Sequence, residues 1–391
     1  MTAAINRPGE KFGERHRDLR SPWRFMDYPL MIVSIGVAVF GVAVNYAATW
    51  RQLEFEGGDP YFYLRRQAVF VLLGIVALFL VAMVDYRFYR HVAREGYIAL
   101  LILLAAVLLV GHEVRGARAW FEAGPIQFQP SEFGKVVVIV ALAAFLVRYG
   151  GSVPLNGFIN AIAIAALPMV LIFRQPDLGT MLVYLAIVMG MLLVAGGRPH
   201  HIMGATLLLI LGVTLVVMAD GVISDDLLSD SQEARLTSFI DRDSVDPDLR
   251  FNLDQAETAI GNGGVTGTGF LDGSQTGLNW VPEQETDFIF TAVAEELGFV
   301  GAGILLAAYA FILFRIWMAA RLAGDLFGTL IAVGVLSMML YQVFQNVGMT
   351  MGIMPVTGLP LPFLSHGGSS TIVALASIGL VLNVRSRRYA P

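Results

Sequence analysis

Ten stretches of mostly apolar residues constrain the fold of this 391-residue chain more than any other feature. A helix needs about 20 predominantly apolar residues to cross the hydrocarbon core of a bilayer, and these stretches approach or exceed that length. Charged residues make up only 15% of the chain, against about 25% in a soluble domain. We therefore predict an all-α polytopic membrane protein with ten transmembrane helices, at 28–48, 67–84, 96–111, 132–148, 157–173, 178–195, 200–219, 287–314, 327–350 and 369–384.

The net charge of −5 is the sum of two regions of opposite charge. Residues 220–287 hold fifteen acidic residues and three arginines, whereas the rest of the chain carries +7. Basic residues in short loops mark the cytoplasmic side, and 16 of the 26 lie in the two tails and the loops after even-numbered spans. Anionic lipid headgroups account for the basic N-terminal tail, so we expect no nucleic-acid partner. The predicted order is a cytoplasmic basic tail (1–25), helices one to seven (26–219), an acidic extracytoplasmic loop (220–286), helices eight to ten (287–385) and a cytoplasmic tail (386–391).

A charged pair opens the fourth predicted span, on the outer side. Ser131 is the predicted N-cap, and Glu132 and Lys135 are three residues apart, on one face of the first helical turn. Lys135 is the only lysine outside the N-terminal tail. The pair is either a local ion pair at the membrane edge or part of a phosphate site that also includes Arg115 and Arg118.

Two further outer segments carry weaker signals. Asp177 is predicted to cap the sixth span, and Arg174 and Gln175 beside it could face the same pocket. Residues 259–277 contain seven glycines, whose backbone amides could cradle an anion. They lack the G-K-[ST] ending of a P-loop, so composition predicts only a flexible loop.

The eighth predicted span begins with Thr286 as N-cap and Asp287 beside the first helical position. The helix dipole favours the charged carboxylate there, whereas an apolar cleft disfavours it, and the sequence does not decide between the two. Glu295 and Glu296 lie about 12 Å deeper along the helix axis. Because ionisable groups at that depth need partners, we interpret both as members of a buried polar network.

The loop before the last span is apolar and contains three prolines, so it must line protein or a cavity. Ser365, His366 and Ser369 lie near the start of the last helix. A serine hydrolase is conceivable from these residues, but the G-x-S-x-G motif is absent. The chain has no cysteine, which excludes thiol catalysis and iron–sulfur clusters.

Taken together, the motifs resemble those of the shape, elongation, division and sporulation (SEDS) family, and they occur in family order. The resemblance implies ten spans, a large extracytoplasmic loop between helices seven and eight, and a peptidoglycan glycosyltransferase that polymerises lipid II. The segment 315–328 looks more like the RodA elongation branch than the FtsW division branch. The matching stretches are FQPSEFGK (128–135), QPDLGT (175–180), AIGNGGVTGTGFLDGSQ (259–275), VPEQETDFIFTAVAEELG (281–298) and NVGMTMGIMPVTGLPLPFLSHGGSS (346–370).

The resemblance also implies roles for single residues. Asp287 corresponds to the catalytic aspartate of the T-D-F-I-F motif, and Glu132 and Lys135 to the S-E-x-x-K motif. Glu285 stands where the family usually has histidine, which removes a candidate cation. The expected substrate contacts are Lys135, Glu132, Arg118, Arg115, Gln175 and Ser365.

In the expected reaction, Asp287 acts as general base and a single displacement inverts the donor sugar. The departing pyrophosphate needs charge stabilisation, which Lys135, Arg118 and a divalent cation such as Mg²⁺ or Mn²⁺ could supply. The expected partners are a class B penicillin-binding protein and other membrane proteins of the elongation complex. Two alternatives stay open: a lipid II flippase, which the polar residues and interrupted loops permit, and a scaffold that activates its partner.

Overall fold

The computed structural model describes residues 25–114, 117–123, 126–219, 247–278 and 280–389, and these are mostly helical. The helices, in chain order, are α1 (Tyr28–Phe55), α2 (Phe62–Met83), α3 (Tyr86–His91), α4 (Ala93–Val110), α5 (Pro130–Leu146), α6 (Leu155–Phe173), α7 (Leu178–Val194), α8 (Pro199–Ala219), α9 (Pro247–Gly263), α10 (Ser274–Gly277), α11 (Ile289–Arg321), α12 (Leu326–Thr350) and α13 (Gly368–Ser386).

Each of the ten predicted apolar stretches lies on a helix. Among the described residues, eight helices are long and apolar enough to cross a membrane: α1, α2, α4, α5 with the turn that follows it, α6, α11, α12 and α13. Helix α7 is apolar but shorter, at 17 residues, and α8 has 21 residues. The chain is therefore a multi-pass helical membrane protein. That all ten helices cross the bilayer, and in which direction, stays a prediction.

The all-α prediction is wrong for the segment between α4 and α5. Three short strands form an antiparallel sheet there in the order β1 (His112–Val114), β2 (Ala117–Ala123) and β3 (Ile126–Phe128). Aromatic residues, which favour strands, lie at the centre of β2 and at the end of β3. The segment predicted as the acidic loop 220–286 contains α9 and α10, and its first part, 220–246, is outside the described residues.

Helices α5, α12 and α13 are the most buried of the membrane-spanning candidates. Helix α13 packs closely against α2, and glycines allow this approach. A side chain at Gly379 would start 2.3 Å from the carbonyl oxygen of Leu78, and one at Gly74 would meet Leu375. The three central helices also carry the buried polar side chains described below.

Helix α11 is interrupted at Gly298, whose backbone angles (φ 65°, ψ −167°) are not helical. The glycine-rich segment 263–269 supplies partners for the backbone groups freed by the break. Thr268 N donates to Glu295 O at 3.0 Å, and Phe299 N donates to Gly264 O at 2.9 Å. The prediction of a flexible loop is therefore wrong for this segment, because its backbone is hydrogen-bonded to the broken helix.

We expect Gly298→Ala to destabilise the protein. The backbone conformation at Gly298 is essentially restricted to glycine, and an added Cβ would lie 2.3 Å from Gly267 N. The cost should be about 1–3 kcal/mol or more, seen as a lower melting temperature in detergent. Gly303→Ala on the same helix is the matched control, because it has open space and should be neutral or stabilising. Equal melting temperatures for the two variants would contradict this account.

Candidate active site

Glu132 and Lys135 form a buried ion pair on the first turn of α5. Lys135 Nζ lies 2.5 Å from Glu132 Oε1, and the two side chains are 1% and 5% exposed. The prediction that they share one helix face is confirmed. The prediction of Ser131 as N-cap is wrong, because Gln129 holds that position and Pro130, which needs no N–H partner, is the first helical residue.

The ion pair lines a small pocket between three elements. Gln342 of α12, Ser370 of α13 and the loop prolines Pro360 and Pro362 complete most of its wall. The pocket has room for roughly one water molecule. Such a space can accept a single oxygen atom of a ligand next to a lysine ammonium.

Asp287 lies in a turn before α11 and not at its start. The helix begins at Ile289 with Phe288 as N-cap, so the prediction of Thr286 as cap is wrong. The turn holds Asp287 through its backbone: Asp287 N donates to Glu283 O at 3.0 Å. The residue is half-buried and directly precedes the buried Phe288.

Asn346 of α12 connects this turn to the pocket. Its side-chain amide donates to Asp287 O and to Leu359 O, both at 2.8 Å. Leu359 directly precedes Pro360 of the pocket wall, and Gln342 is one helical turn before Asn346, about 6 Å along the axis. The backbone of Asp287 and the ion-pair pocket therefore share one scaffold.

The loop before α13 is ordered and largely buried, as its apolar sequence predicted. Ser365 Oγ accepts a hydrogen bond from Leu361 N at 2.8 Å, and the residue is 1% exposed. His366 N donates to Glu285 O at 2.7 Å, which joins this loop to the turn that carries Asp287. The hydroxyl of Ser365 thus stabilises the loop, and its contact with substrate stays a prediction.

The turn before α7 is also built from polar contacts. Asp177 caps the helix by accepting from Thr180 N at 2.9 Å, as predicted, and it also accepts from Gln129 Nε2 at 3.2 Å. Gln175 is buried, and its amide nitrogen donates to Leu104 O at 3.4 Å. The structure therefore links this turn to the start of α5, while leaving Gln175 away from the residues that line the pocket.

Of the remaining predicted residues, the structure describes Arg118 and Glu295, and neither lines the pocket. Arg118 is exposed on β2, and Arg115 lies outside the described residues. Glu295 accepts from the backbone amides of Gln275 and Thr276, both at 2.8 Å, which agrees with its interpretation as part of a polar network. Sequence reasoning missed Gln342 and Asn346. The sequence offered one signal for them, because both are amide side chains within an otherwise apolar predicted span.

No group of three or more His, Cys, Asp or Glu side chains in the described residues could hold a metal ion. Glu132 is the only carboxylate among the pocket residues, and it is paired with Lys135. A magnesium ion is usually bound by one or two carboxylates together with substrate phosphates, so the divalent cation stays a prediction.

We expect the buried ion pair to be needed for more than stability. Lys135→Met alone leaves Glu132 buried without its partner and should cost about 3–5 kcal/mol of folding free energy. The double variant Lys135→Met, Glu132→Gln removes both charges. We therefore expect its melting temperature to recover most of that loss, while the expected polymerisation of lipid II stays abolished. Recovery of both stability and turnover in the double variant would reduce the pair to a structural element.

The imidazole of His366 packs against two aromatic rings. Its ring centroid lies 4.9 Å from that of Tyr63 and 6.0 Å from that of Phe70. Burial, and secondarily the nearby charge of Arg66, lowers the pKa of His366 from 6.5 to about 4. The ring is therefore neutral at physiological pH and does not act as a cation for a phosphate.

Stability should consequently fall between pH 6.5 and pH 4. The unfolded state binds a proton in this range and the folded state does not, so unfolding is favoured as the pH drops, by up to about 3 kcal/mol. His366→Phe keeps the ring packing and should flatten the pH dependence of the melting temperature in detergent. His112→Gln, at an exposed position, should leave it unchanged. An unaltered slope in His366→Phe would contradict the assignment.

The bundle and its buried polar pocket define a multi-pass membrane protein with a polar site inside an apolar core. A family model described as "Cell cycle protein", which covers FtsW, RodA and SpoVE, matches residues 28–390. The chain belongs to this family, as the motif resemblance indicated.

Relatives and solved structures agree over nearly the whole chain. Stage V sporulation protein E of Bacillus subtilis is 35% identical, over 93% of this chain and 98% of that protein. Peptidoglycan glycosyltransferase MrdB of Escherichia coli K12 is 33% identical, over 93% and 94%. Thermus thermophilus RodA has a TM-score of 0.70 at 31% identity, covering 95% of this chain and all of that one. A chain of a peptidoglycan synthase complex, from a study of coordinated polymerization and crosslinking, has a TM-score of 0.78 at 32% identity, covering 94% and 99%.

Proposed function

We propose that this protein is a peptidoglycan glycosyltransferase that polymerises lipid II during cell elongation. One observation carries the proposal: Asn346, which bonds to the backbone of Asp287, lies one helical turn after Gln342, a residue of the pocket that contains the buried Glu132–Lys135 pair. A base and a buried ammonium in this arrangement suit the transfer of a sugar from a pyrophosphate. Relatives named peptidoglycan glycosyltransferase support the reaction class.

In the proposed reaction, an acceptor sugar hydroxyl attacks the anomeric carbon of the donor. Asp287 takes the hydroxyl proton, the new glycosidic bond forms, and the bond to the pyrophosphate oxygen breaks with its electron pair leaving on the pyrophosphate. Because attack and departure take place on opposite faces, the donor configuration inverts. Pyrophosphate is a good leaving group, so no second carboxylic acid is needed, unlike in glycosidases.

Lys135 stabilises the charge that develops on the departing pyrophosphate. Its ammonium is excluded from water, where an electrostatic contact is worth more than at the surface. Glu132 positions that ammonium. Arg118 is exposed on β2, and we assign it to the outer part of the lipid II headgroup. Arg115, which lies outside the described residues, and the buried Gln175 and Ser365 stay predicted substrate contacts.

The proposed setting is the bacterial inner membrane, with both termini cytoplasmic and the site facing outward. The basic residues of the two tails and of the short loops after even-numbered spans support this orientation. We further propose a class B penicillin-binding protein as the partner that crosslinks the new strands. The similarity to a chain from a peptidoglycan synthase complex supports that partner.

A lipid II flippase is the second candidate, and one observation favours it. Helix α11 is interrupted at Gly298, and transporters build their binding sites from interrupted helices. In this chain, however, the freed backbone groups are bonded to the glycine-rich segment, so they are not available to a transported ligand. The glycosyltransferase accounts for the Asp287 turn and the ion-pair pocket together.

Asp287→Asn should lower glycan polymerisation at least about 100-fold while leaving folding intact, because the carboxamide cannot take the hydroxyl proton. The measurement is polymer length and yield from lipid II with the purified variant and its partner. Asp254→Asn on α9, an exposed carboxylate, is the matched control and should polymerise normally. Undiminished polymer from a folded Asp287→Asn protein would remove this residue from the reaction.

A further inference from the structure

Gln342 is the one pocket residue whose polar group the structure leaves without a partner. It is 5% exposed and lines the pocket with Glu132 and Lys135. Within the described part of the chain, its carboxamide makes no hydrogen bond. Because the amide opens onto the pocket space and is not sealed in the core, it is available to a ligand there.

The neighbouring amides on α12 show what such side chains do when they hold the fold together. Gln345 Nε2 donates to Pro355 O at 2.7 Å, and Asn346 donates to two carbonyl oxygens. Both therefore anchor the loop that follows α12. Gln342 lies one turn before Asn346, on the side that faces the pocket, and anchors no loop in the described residues.

The other polar groups of the pocket define what Gln342 could bind. Lys135 offers N–H donors, while Glu132 is held by Lys135 at 2.5 Å. Ser370 Oγ donates to Gly367 O at 3.2 Å, and the prolines of the wall have no N–H. The Lys135 ammonium and the Gln342 amide therefore line a space of about one oxygen atom, which is too small for a sugar ring but can take one oxygen of a phosphate.

We propose that Gln342 is a substrate-binding residue whose amide N–H, together with the Lys135 ammonium, holds one oxygen of the departing pyrophosphate. This inference rests on the proposed glycosyltransferase function and adds a ligand contact to it. The position also agrees with the reaction: Gln342 lies about 6 Å along α12 from the residue that holds the Asp287 turn. The acceptor hydroxyl would then approach near Asp287 and the leaving group would depart toward the pocket.

The test compares two substitutions of similar size. Gln342→Met removes the hydrogen bond and keeps the volume, so we expect the KM for lipid II and the Kd for a polyprenyl pyrophosphate to rise about 10-fold or more. Gln342→Glu places a negative charge beside the pyrophosphate, and we expect a larger loss of binding than in the methionine variant. Leu340→Met, at an exposed position of α12 outside the pocket, is the control and should bind normally.

Three results separate this inference from the proposed function. Unchanged Kd and KM in Gln342→Met, in a wild type that polymerises lipid II, overturns the inference alone. Tight pyrophosphate binding retained in Gln342→Glu overturns it as well, because the amide would then act as an acceptor. A wild type that binds polyprenyl pyrophosphate through Gln342 but forms no polymer overturns the proposed reaction and leaves the contact in place. Melting temperatures of all variants confirm that each is folded.

Discussion

An apolar environment penalises a buried polar group that has no partner inside the protein, and this constraint organises the structure. It is clearest where α11 breaks at Gly298. The backbone groups freed by the break bond to the segment 263–269, and Glu295 accepts the amide N–H groups of Gln275 and Thr276 at the start of α10. The segment 263–276 and the broken helix are therefore one unit, and the turn that carries Asp287 lies between them in the chain.

The same constraint explains how the site is assembled. The buried ammonium of Lys135 is neutralised by Glu132, and the amide of Asn346 ties the Asp287 turn to the proline-rich loop. His366 adds a backbone bond from that loop to Glu285. Each contact satisfies a polar group in an apolar core and also fixes part of the pocket. Rigidity at the site thus follows from the need to pair buried groups.

Much of this could be predicted from the sequence, because hydrophobic length alone locates membrane helices. All ten apolar stretches proved helical, and the i, i+3 spacing of Glu132 and Lys135 placed them together. The errors lie where tertiary contacts decide the conformation. Glycines between 263 and 269 indicated flexibility, whereas Gly263 and Gly267 are required by their close approach to α11. Thr286 looked like a cap because local pattern does not reveal that the helix starts three residues later.

The partners of two amide side chains on α12 could not be predicted from the sequence. Gln342 and Asn346 lie in an apolar span, and nothing local indicates that one faces a pocket and the other bonds to two loops. The hairpin strands between α4 and α5 were missed for a related reason. They are short, and the sequence between two membrane helices was interpreted only as a loop.

The most direct test of the central claim is polymerisation of lipid II in detergent by the purified chain with a transpeptidase-inactivated class B partner. No membrane separates two compartments there, so transport contributes nothing to the signal. The account predicts glycan strands that depend on this chain and are absent with the partner alone. No polymer in detergent, combined with movement of lipid II across liposomes that contain the chain, would contradict the account and favour a flippase.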